Sequence, residues 1–531
     1  MDEKVRYKRL VFIIIALVVL SLFLTACILM SQTKGVDIEE KREWFFEESI
    51  QTEKEVHLDN AYILKGEEGV FQFIYEERLY KIQGLIDADY EGVADIIIDG
   101  DKIKKICIKP NLKNGTICAY SETELTLFAE EDIHINKKQD IPLYYKDGNS
   151  IVQTSWESIV IGASKVDCVM EYGQVCAIVI EETSPKDIRV IIKNKDRIFY
   201  DNLYIKKATS NTIINIAKQL EENNKKSIEI KDENGLYICD SNGQALGEMY
   251  EGAFCIQSYN EGYVLVNVLP IETYLKYVLP SEMPTDFHEE ALKAQAVCAR
   301  TFAYVHINNQ SYAKYGANLD DSTAFQVYHK SGRYSETDKA VEDTTGEVIT
   351  NEGELITCYY YSTSAGVTND FSVWGSDTPA YIQMVESKDD NSPFFVWEAY
   401  LDVAARKDEL GNLKTISVLE RNKAGYITKL ELMYEKEKIV LEKENEIRKC
   451  LGIHLKETHL NNGKIRSDLS MIPSAYFQVE KKEGDKIIIK GAGFGHGIGM
   501  SQYGANRLAL QGMRYISIIE YYYKGIVVKN V

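Results

Sequence analysis

Three groups of residues in this 531-residue chain have types and spacings that suit chemistry. The sharpest is the run Gly491-Ala492-Gly493-Phe494-Gly495-His496-Gly497-Ile498-Gly499-Met500-Ser501-Gln502-Tyr503-Gly504-Ala505. Its glycines keep a period of two from 491 to 499, and no register gives the G-x-G-x-x-G of a dinucleotide site. Alternating glycines instead let another backbone or a ligand come close, with His496 held among them as a site residue or as a core histidine. The second group is Thr357 to Gly366, where Tyr359, Tyr360 and Tyr361 run into Ser362, Thr363 and Ser364. Stacking rings beside hydroxyl donors suit a sugar, whose faces are apolar and whose edges are polar; packing of a buried strand accounts for the same residues equally well. The third is Lys293 and Arg300, which share one helical stripe with Val297 at i, i+4 and i+7. Stacked cations repel mildly unless an anion faces them, and a solvated face is the plain alternative.

Local patterns indicate the elements that must carry these groups. Leu292, Ala296, Ala299 and Ala303 fall on one narrow face of a helix that packs close to its neighbour. Asp286-Phe287-His288-Glu289 has the form of a capping box at its start. An Ile-rich strand, Ile487 to Ile489, leads into the glycine run, and a helical pattern follows from Ala505 to Leu510. Earlier, Asp95 to Cys107 reads strand, Asp99-Gly100 turn, strand; Val166 to Ile180 repeats the pattern around Tyr172-Gly173. Further β-rich runs begin at Ile188 and at Gly262. The fold class is α+β and β-rich. The divisions expected are a stub at 1–9, a membrane anchor at 10–30, a linker at 31–55, a β-rich accessory region at 56–185 and a main domain at 186–531.

Composition bounds the function. The chain has 61 Lys+Arg against 81 Asp+Glu, a net charge of −20, and no electrostatic footprint for nucleic acid. Forty-five per cent hydrophobic residues provide a sizeable core. Ten dispersed cysteines without a C-x-x-C make neither a disulfide scaffold nor a zinc ribbon; Cys107–Cys118 and Cys168–Cys176 are the pairings to check. Leu10 through Met30 carry no charge and reach about 30 Å as a helix, the thickness of a bilayer core. Lys4, Arg6, Lys8 and Arg9 precede them, so the N-terminus is expected inside and the bulk of the chain outside. An uncleaved anchor is the favoured reading. A lipoprotein processed at Cys27, after Leu24-Thr25-Ala26, and a cleaved signal stay open, and each puts the bulk outside.

Several ordered blocks resemble the stage II sporulation protein D / LytB family. They are Ser281-Glu282-Met283-Pro284, Ala291-Leu292-Lys293-Ala294-Gln295-Ala296 with Arg300-Thr301, and Gly495 through Ala505. The resemblance runs from about Asp187 to the C-terminus. It implies a membrane-anchored peptidoglycan lytic transglycosylase, which cleaves MurNAc–GlcNAc linkages of strands stripped of stem peptides and leaves 1,6-anhydro-MurNAc ends, alongside a cell-wall amidase in sporulation. By the same resemblance Glu282 is catalytic, Lys293 and Arg300 are supporting cations, and Tyr361, Ser362, Ser364, His496, Ser501 and Gln502 bind substrate. No cofactor is implied. Some clostridial relatives look as though they bind zinc near an Asp-Ser-Thr block. Here Asp321-Ser322-Thr323-Ala324-Phe325-Gln326-Val327-Tyr328 has neither Cys nor His at those places, so no metal is expected. Ala365 replaces a common glycine, and the accessory region sets this chain apart from the short sporulation proteins.

One glutamate suffices for that chemistry. An ordinary glycosidase needs two carboxylates, whereas here the sugar's own 6-hydroxyl is the nucleophile. One acid can protonate the leaving oxygen and then accept the hydroxyl proton. Glu282 is expected beside the start of a helix, where a capping role is the plain alternative. From another functional class comes a non-catalytic glycan-binding enhancer of an N-acetylmuramoyl-L-alanine amidase.

The basic stub and uncharged stretch generate a topological expectation. Protease added to intact spheroplasts should digest the chain beyond about residue 31 while an N-terminal tag survives. A protected C-terminus would reverse the topology. Cys27→Ser should leave the protein in the membrane, and its release into the medium would show lipidation instead.

Overall fold

The structure is a computed structural model that describes residues 55–64, 70–83, 90–100, 102–128, 132–148, 150–183, 185–329 and 331–531. The expected anchor at 10–30 and Cys27 lie outside the described residues; among those described, no helix is long and apolar enough to cross a membrane. The architecture is α+β and β-rich. Two units form, one of residues up to Pro110 with Ser150–Gln153, the other of Asn111–Asn149 with Thr154–Val531. Residues 56–185, read above as one region, are divided between them.

The smaller unit is an antiparallel sheet in the order Arg78–Gln83, Val70–Tyr75, Val56–Leu64, Gly92–Asp99, Lys102–Ile108. Its buried face gathers Leu58, Ile63, Phe71, Phe73, Ile96 and Ile98. A hairpin forms here, but Asp99 ends its strand opposite Lys102, so the reversal begins at Gly100, φ +65°, one residue later than expected.

In the larger unit, Ser164–Glu171 and Gln174–Thr183 make the second expected hairpin, with Tyr172 and Gly173 both at positive φ as a two-residue turn requires. A separate sheet runs Ser227–Lys231, Ala253–Tyr259, Gly262–Pro270, Asp187–Ile191, Leu319–Asp320. Strand Gly262–Pro270 passes directly into helix α1 (Ile271–Glu282), and α2 (Glu289–His306) follows. Leu292, Ala296, Ala299 and Ala303 are all buried, and small side chains let α2 sit close to α1, α3 (Ser335–Asp343) and the later helices. The start of α2 differs from its expected capping box. His288 is the N-cap, its Nδ1 accepting from the Glu290 N–H at 3.2 Å, while the His288 N–H is held by Asn506 Oδ1. Tertiary pairing outweighs the local box.

Among the described residues of 186–531 there are two large hydrophobic cores, beside a smaller cluster of Ile191, Val264, Val266, Tyr315 and Ala317. The first surrounds α1 and α2. The second lies within residues 394–489 and includes Trp397, Leu401, Leu430, Ile447, Leu451 and Ile489. It is enclosed by a five-stranded sheet ordered Ile465–Arg466, Leu455–Leu460, Trp397–Asp402, Lys486–Gly491, Phe477–Glu483, by the strands Leu413–Arg421, Ile427–Tyr434 and Lys438–Leu441, and by α4 (Glu444–Gly452). Strand Lys486–Gly491 returns the chain to the first core, where α5 (Gln502–Leu510) and α6 (Tyr515–Tyr522) complete the helical layer.

The return segment docks backbone to backbone on residues 359–363. Tyr360 and Tyr361 pair in parallel with Met500 and Ser501. Phe494 N–H donates to Thr363 O at 2.8 Å, and Thr363 N–H to Phe494 O at 3.0 Å. Gly499 has φ +78°, and a Cβ there would lie 1.9 Å from Tyr359 O. Gly499→Ala should therefore cost about 2 kcal/mol or more, combining left-handed strain with a clash against an unyielding carbonyl. Gly484→Ala, at φ +57° with nothing within 4 Å, should cost only the strain of about 1 kcal/mol. Thermal unfolding of the two variants checks this; equal losses would mean that the segments are not so tightly docked.

Candidate functional site

The docked segments form the floor of a cleft of about 510 Å³. Glu282, from the last turn of α1, lies on its wall, and Val327 N–H donates to the Glu282 carboxylate at 2.6 Å. Glu282 thus ends one helix and does not begin the next, which corrects its expected place. A helix C-terminus does not stabilise a carboxylate, so an N-terminal capping role is excluded. From the Asp-Ser-Thr block it is the backbone at Val327 that orients the acid. Among the described residues no group of three or more His, Cys, Asp or Glu is placed to hold a metal ion, and no disulfide joins the cysteines.

Aromatic rings line much of the rest. Tyr359, Tyr360, Tyr361, Trp374 and Phe494 all border the cleft, with Ser362 and Gln502 beside them. The Tyr361 hydroxyl is buried and, among the described residues, has no hydrogen-bond partner. Tyr360 hydroxyl accepts from Gln326 Nε2 at 3.1 Å; burial, reinforced by the Glu282 charge, holds its phenol protonated well above the usual range. His496 packs between Tyr361 and Trp374, with ring centroids 5.5 and 5.4 Å away. Ile498 N–H donates to its Nδ1 at 3.1 Å, so Nε2 carries the proton of a neutral ring. Burial first, and the Arg448 guanidinium second, push its pKa down to about 4.

Four of the expected residues besides Glu282 meet here: Tyr361, Ser362, His496 and Gln502. Ser364 and Ser501 do not line the cleft. They are fully buried around Asp389, which accepts from Ser364 N–H at 2.5 Å, from Ser387 Oγ at 2.7 Å and from Ser501 Oγ. Burial pushes the Asp389 carboxyl up to about 6 against the pull of those donors. Asp389 carries no motif in the sequence; its role comes from residues 364 and 501 meeting at one place.

Lys293 and Arg300 do not line the cleft either, and the anions they face belong to the protein. Arg300 is completely buried, with Nε and Nη2 each 2.7 Å from the Glu272 carboxylate and further bonds to Val341 O and Glu347 O. Lys293 Nζ lies 3.1 Å from Asp343 and 3.5 Å from Glu290. These cations tie α2 to α1 and α3. The i, i+7 spacing identified their shared stripe but carried no information about which carboxylates would fold against it. Conversely, Arg448 of α4 and Trp374 border the cleft with no sequence signal of their own.

Comparison with known proteins agrees with this division. The sequence profile of the SpoIID family, described as stage II sporulation protein, matches residues 259–351, which contain α1 and α2. A profile for a domain of unknown function matches 396–499, the part enclosing the second core. An uncharacterized protein of Brachyspira hyodysenteriae is 31% identical over 284 residues, covering 53% of this chain and 72% of that protein. Stage II sporulation protein D of Bacillus amyloliquefaciens is 31% identical over 295 residues, covering 52% and 79%. The amidase enhancer of Bacillus subtilis is 31% identical over 287 residues, covering 47% of this chain and 39% of that protein.

The two buried titratable groups make opposite contributions to stability with pH. His496, lowered from 6.5 to about 4, contributes stability present above pH 6.5 and lost as pH falls through 4. Asp389, raised from 3.8 to about 6, contributes stability present below pH 3.8 and lost as pH rises through 6. In denaturant titrations at pH 7 and pH 4.5, His496→Gln should lose less stability on acidification than wild type, and Asp389→Asn should lose more. Parallel losses in all three proteins would contradict both assignments.

Proposed function

The chain belongs to the stage II sporulation protein D family, and from that premise we propose that it is a peptidoglycan lytic transglycosylase, anchored at residues 10–30 with its bulk on the wall side. Its substrate is the glycan strand freed of stem peptides, cut at MurNAc–GlcNAc linkages to leave 1,6-anhydro-MurNAc ends in sporulation or wall remodelling. The observation that carries the proposal is Glu282, the one carboxyl group among the described residues lining the cleft, held by a backbone N–H between tyrosine, tryptophan and hydroxyl side chains. Rings of that kind stack on the apolar faces of pyranoses.

In this mechanism Glu282 begins protonated and donates to the glycosidic oxygen as the bond to the anomeric carbon breaks. The 6-hydroxyl of the same sugar attacks that carbon, and its proton passes to the Glu282 carboxylate, restoring the acid. No water is consumed, so the second carboxylate that a hydrolase needs for water has no task. Val327 N–H fixes the rotamer of the acid. Ser362 and Gln502 supply polar edges for the sugar, and neutral His496 supports the floor without a competing charge. Lys293 and Arg300 act one step back, by holding the helix pair that sets the position of Glu282.

A second reading is favoured by one observation, the 31% identity to an amidase enhancer. In it the same cleft binds glycan and presents it to a partner amidase without cutting.

Glu282→Gln keeps size and hydrogen bonding but delivers no proton, so release of anhydro ends from peptide-free strands should fall roughly 10² to 10⁴-fold while pull-down on the same strands persists. Arg300→Ala should instead lower the unfolding temperature, because Glu272 loses its buried partner. Wild-type turnover by Glu282→Gln would remove the acid from the mechanism. A wild type that binds but never cuts, yet accelerates an amidase, would establish the enhancer.

A further inference from the structure

We propose that Arg448 holds a free carboxylate of the glycan in the cleft and so makes the segment 396–491 a reader of peptide-free strands. This rests on the glycan reading given above. Arg448 projects from α4, in the second core's part of the chain, yet borders the same cleft as Glu282. Among the described residues lining that cleft, Glu282 and Arg448 are the only Asp, Glu, Lys or Arg. Lys293 and Arg300 lie away from this cleft on protein carboxylates; Arg448 is also ion-paired, through Nη1 to the buried Glu444 carboxylate at 2.9 Å, but it borders the cleft.

The guanidinium is anchored on one side only. Its Nε donates to Ile472 O at 3.1 Å and its Nη1 to Glu444 Oε1 at 2.9 Å, whereas no hydrogen bond among the described residues engages Nη2. The residue is 9% exposed, so the fork is held by its surroundings before a ligand arrives. Its field reaches across the cleft to His496, whose protonation it disfavours. A planar, pre-positioned donor suits a carboxylate more than a neutral sugar hydroxyl. In a chain of net charge −20, an anionic ligand also needs a local cation to overcome long-range repulsion.

The matching anion is the lactyl group of N-acetylmuramic acid. It is a carboxylate only where no peptide is attached; with a stem peptide it is a neutral, bulkier amide. Arg448 would therefore distinguish strands already processed by an amidase from those still carrying peptide.

The test places the modification on the ligand as well as on the protein. Binding of the detergent-solubilised full chain is measured on peptide-free strands with lactyl groups either free or converted to methyl esters, for wild type, Arg448→Gln and Arg448→Lys. Wild type should bind the esterified strands about 10- to 100-fold more weakly, the loss of one charge-assisted contact. Arg448→Gln should bind both forms at the weaker level, and Arg448→Lys should recover part of the preference. Wild type that ignores esterification, or Arg448→Gln that keeps the full preference, overturns the role of Arg448 while leaving the glycan reading intact. Wild type that binds neither form overturns the glycan reading and this inference together. Because the wild-type comparison needs no substitution, a destabilised variant does not blunt it.

Discussion

The functional region depends on one close approach, that of the alternating-glycine segment to the backbone of residues 359–363. Met500 N–H donates to Tyr359 O at 3.0 Å and Tyr503 N–H to Ser362 O at 3.1 Å, with Gly499 between them in a conformation and a space that exclude a side chain. This contact joins strand ends that are about 140 residues apart in sequence. It sets three tyrosines and a histidine on one floor and delivers Ser501 and Gln502 to the start of α5. Without it, the aromatic block and the glycine block would be two unrelated surface loops.

Buried charge then fixes what lies around that floor. Asp389 gathers Ser364, Ser387 and Ser501 beneath it, and Arg300 with Glu272 joins the two long helices above. Each is an expensive group to bury alone, and each is tolerated because donors or an opposite charge surround it. Both therefore act as registration devices for the cleft. The acid at the end of α1 keeps its place because the helix beneath it is pinned by Arg300 and Lys293, which reach Glu272 on α1 itself and Asp343 on α3.

The part of the chain between Trp397 and Gly491 has its own core and yet takes part in the site. Its sheet ends on strand Lys486–Gly491, whose continuation is the glycine segment, and its helix α4 brings Arg448 to the cleft border. Tyr426 crosses from this part into the first core, its hydroxyl 2.7 Å from where a Cβ on Gly497 would stand. The two cores are thus connected at the point where the chemistry is proposed, so stability of the second influences geometry in the first.

The sequence alone determined whatever depends on near neighbours. The hairpins around Gly100 and Tyr172-Gly173, the alanine-lined face of α2 and the meaning of glycines every second residue follow from periods of 2 and 3.6 and from turn geometry. Ordered blocks also singled out Glu282, Tyr361, Ser362, His496 and Gln502, which do share one cleft. Tertiary structure decided everything that required knowing a distant partner. It placed Glu282 at the end of a helix, replaced the expected capping box by a contact from Asn506, turned Lys293 and Arg300 inward to Asp343 and Glu272, and sent Ser364 and Ser501 to Asp389. It also brought Arg448 to the cleft. Local patterns record which face of an element is apolar, but a charge on that element is satisfied by whichever opposite group folds against it, and that is settled only when segments 25 to 218 residues apart pack together.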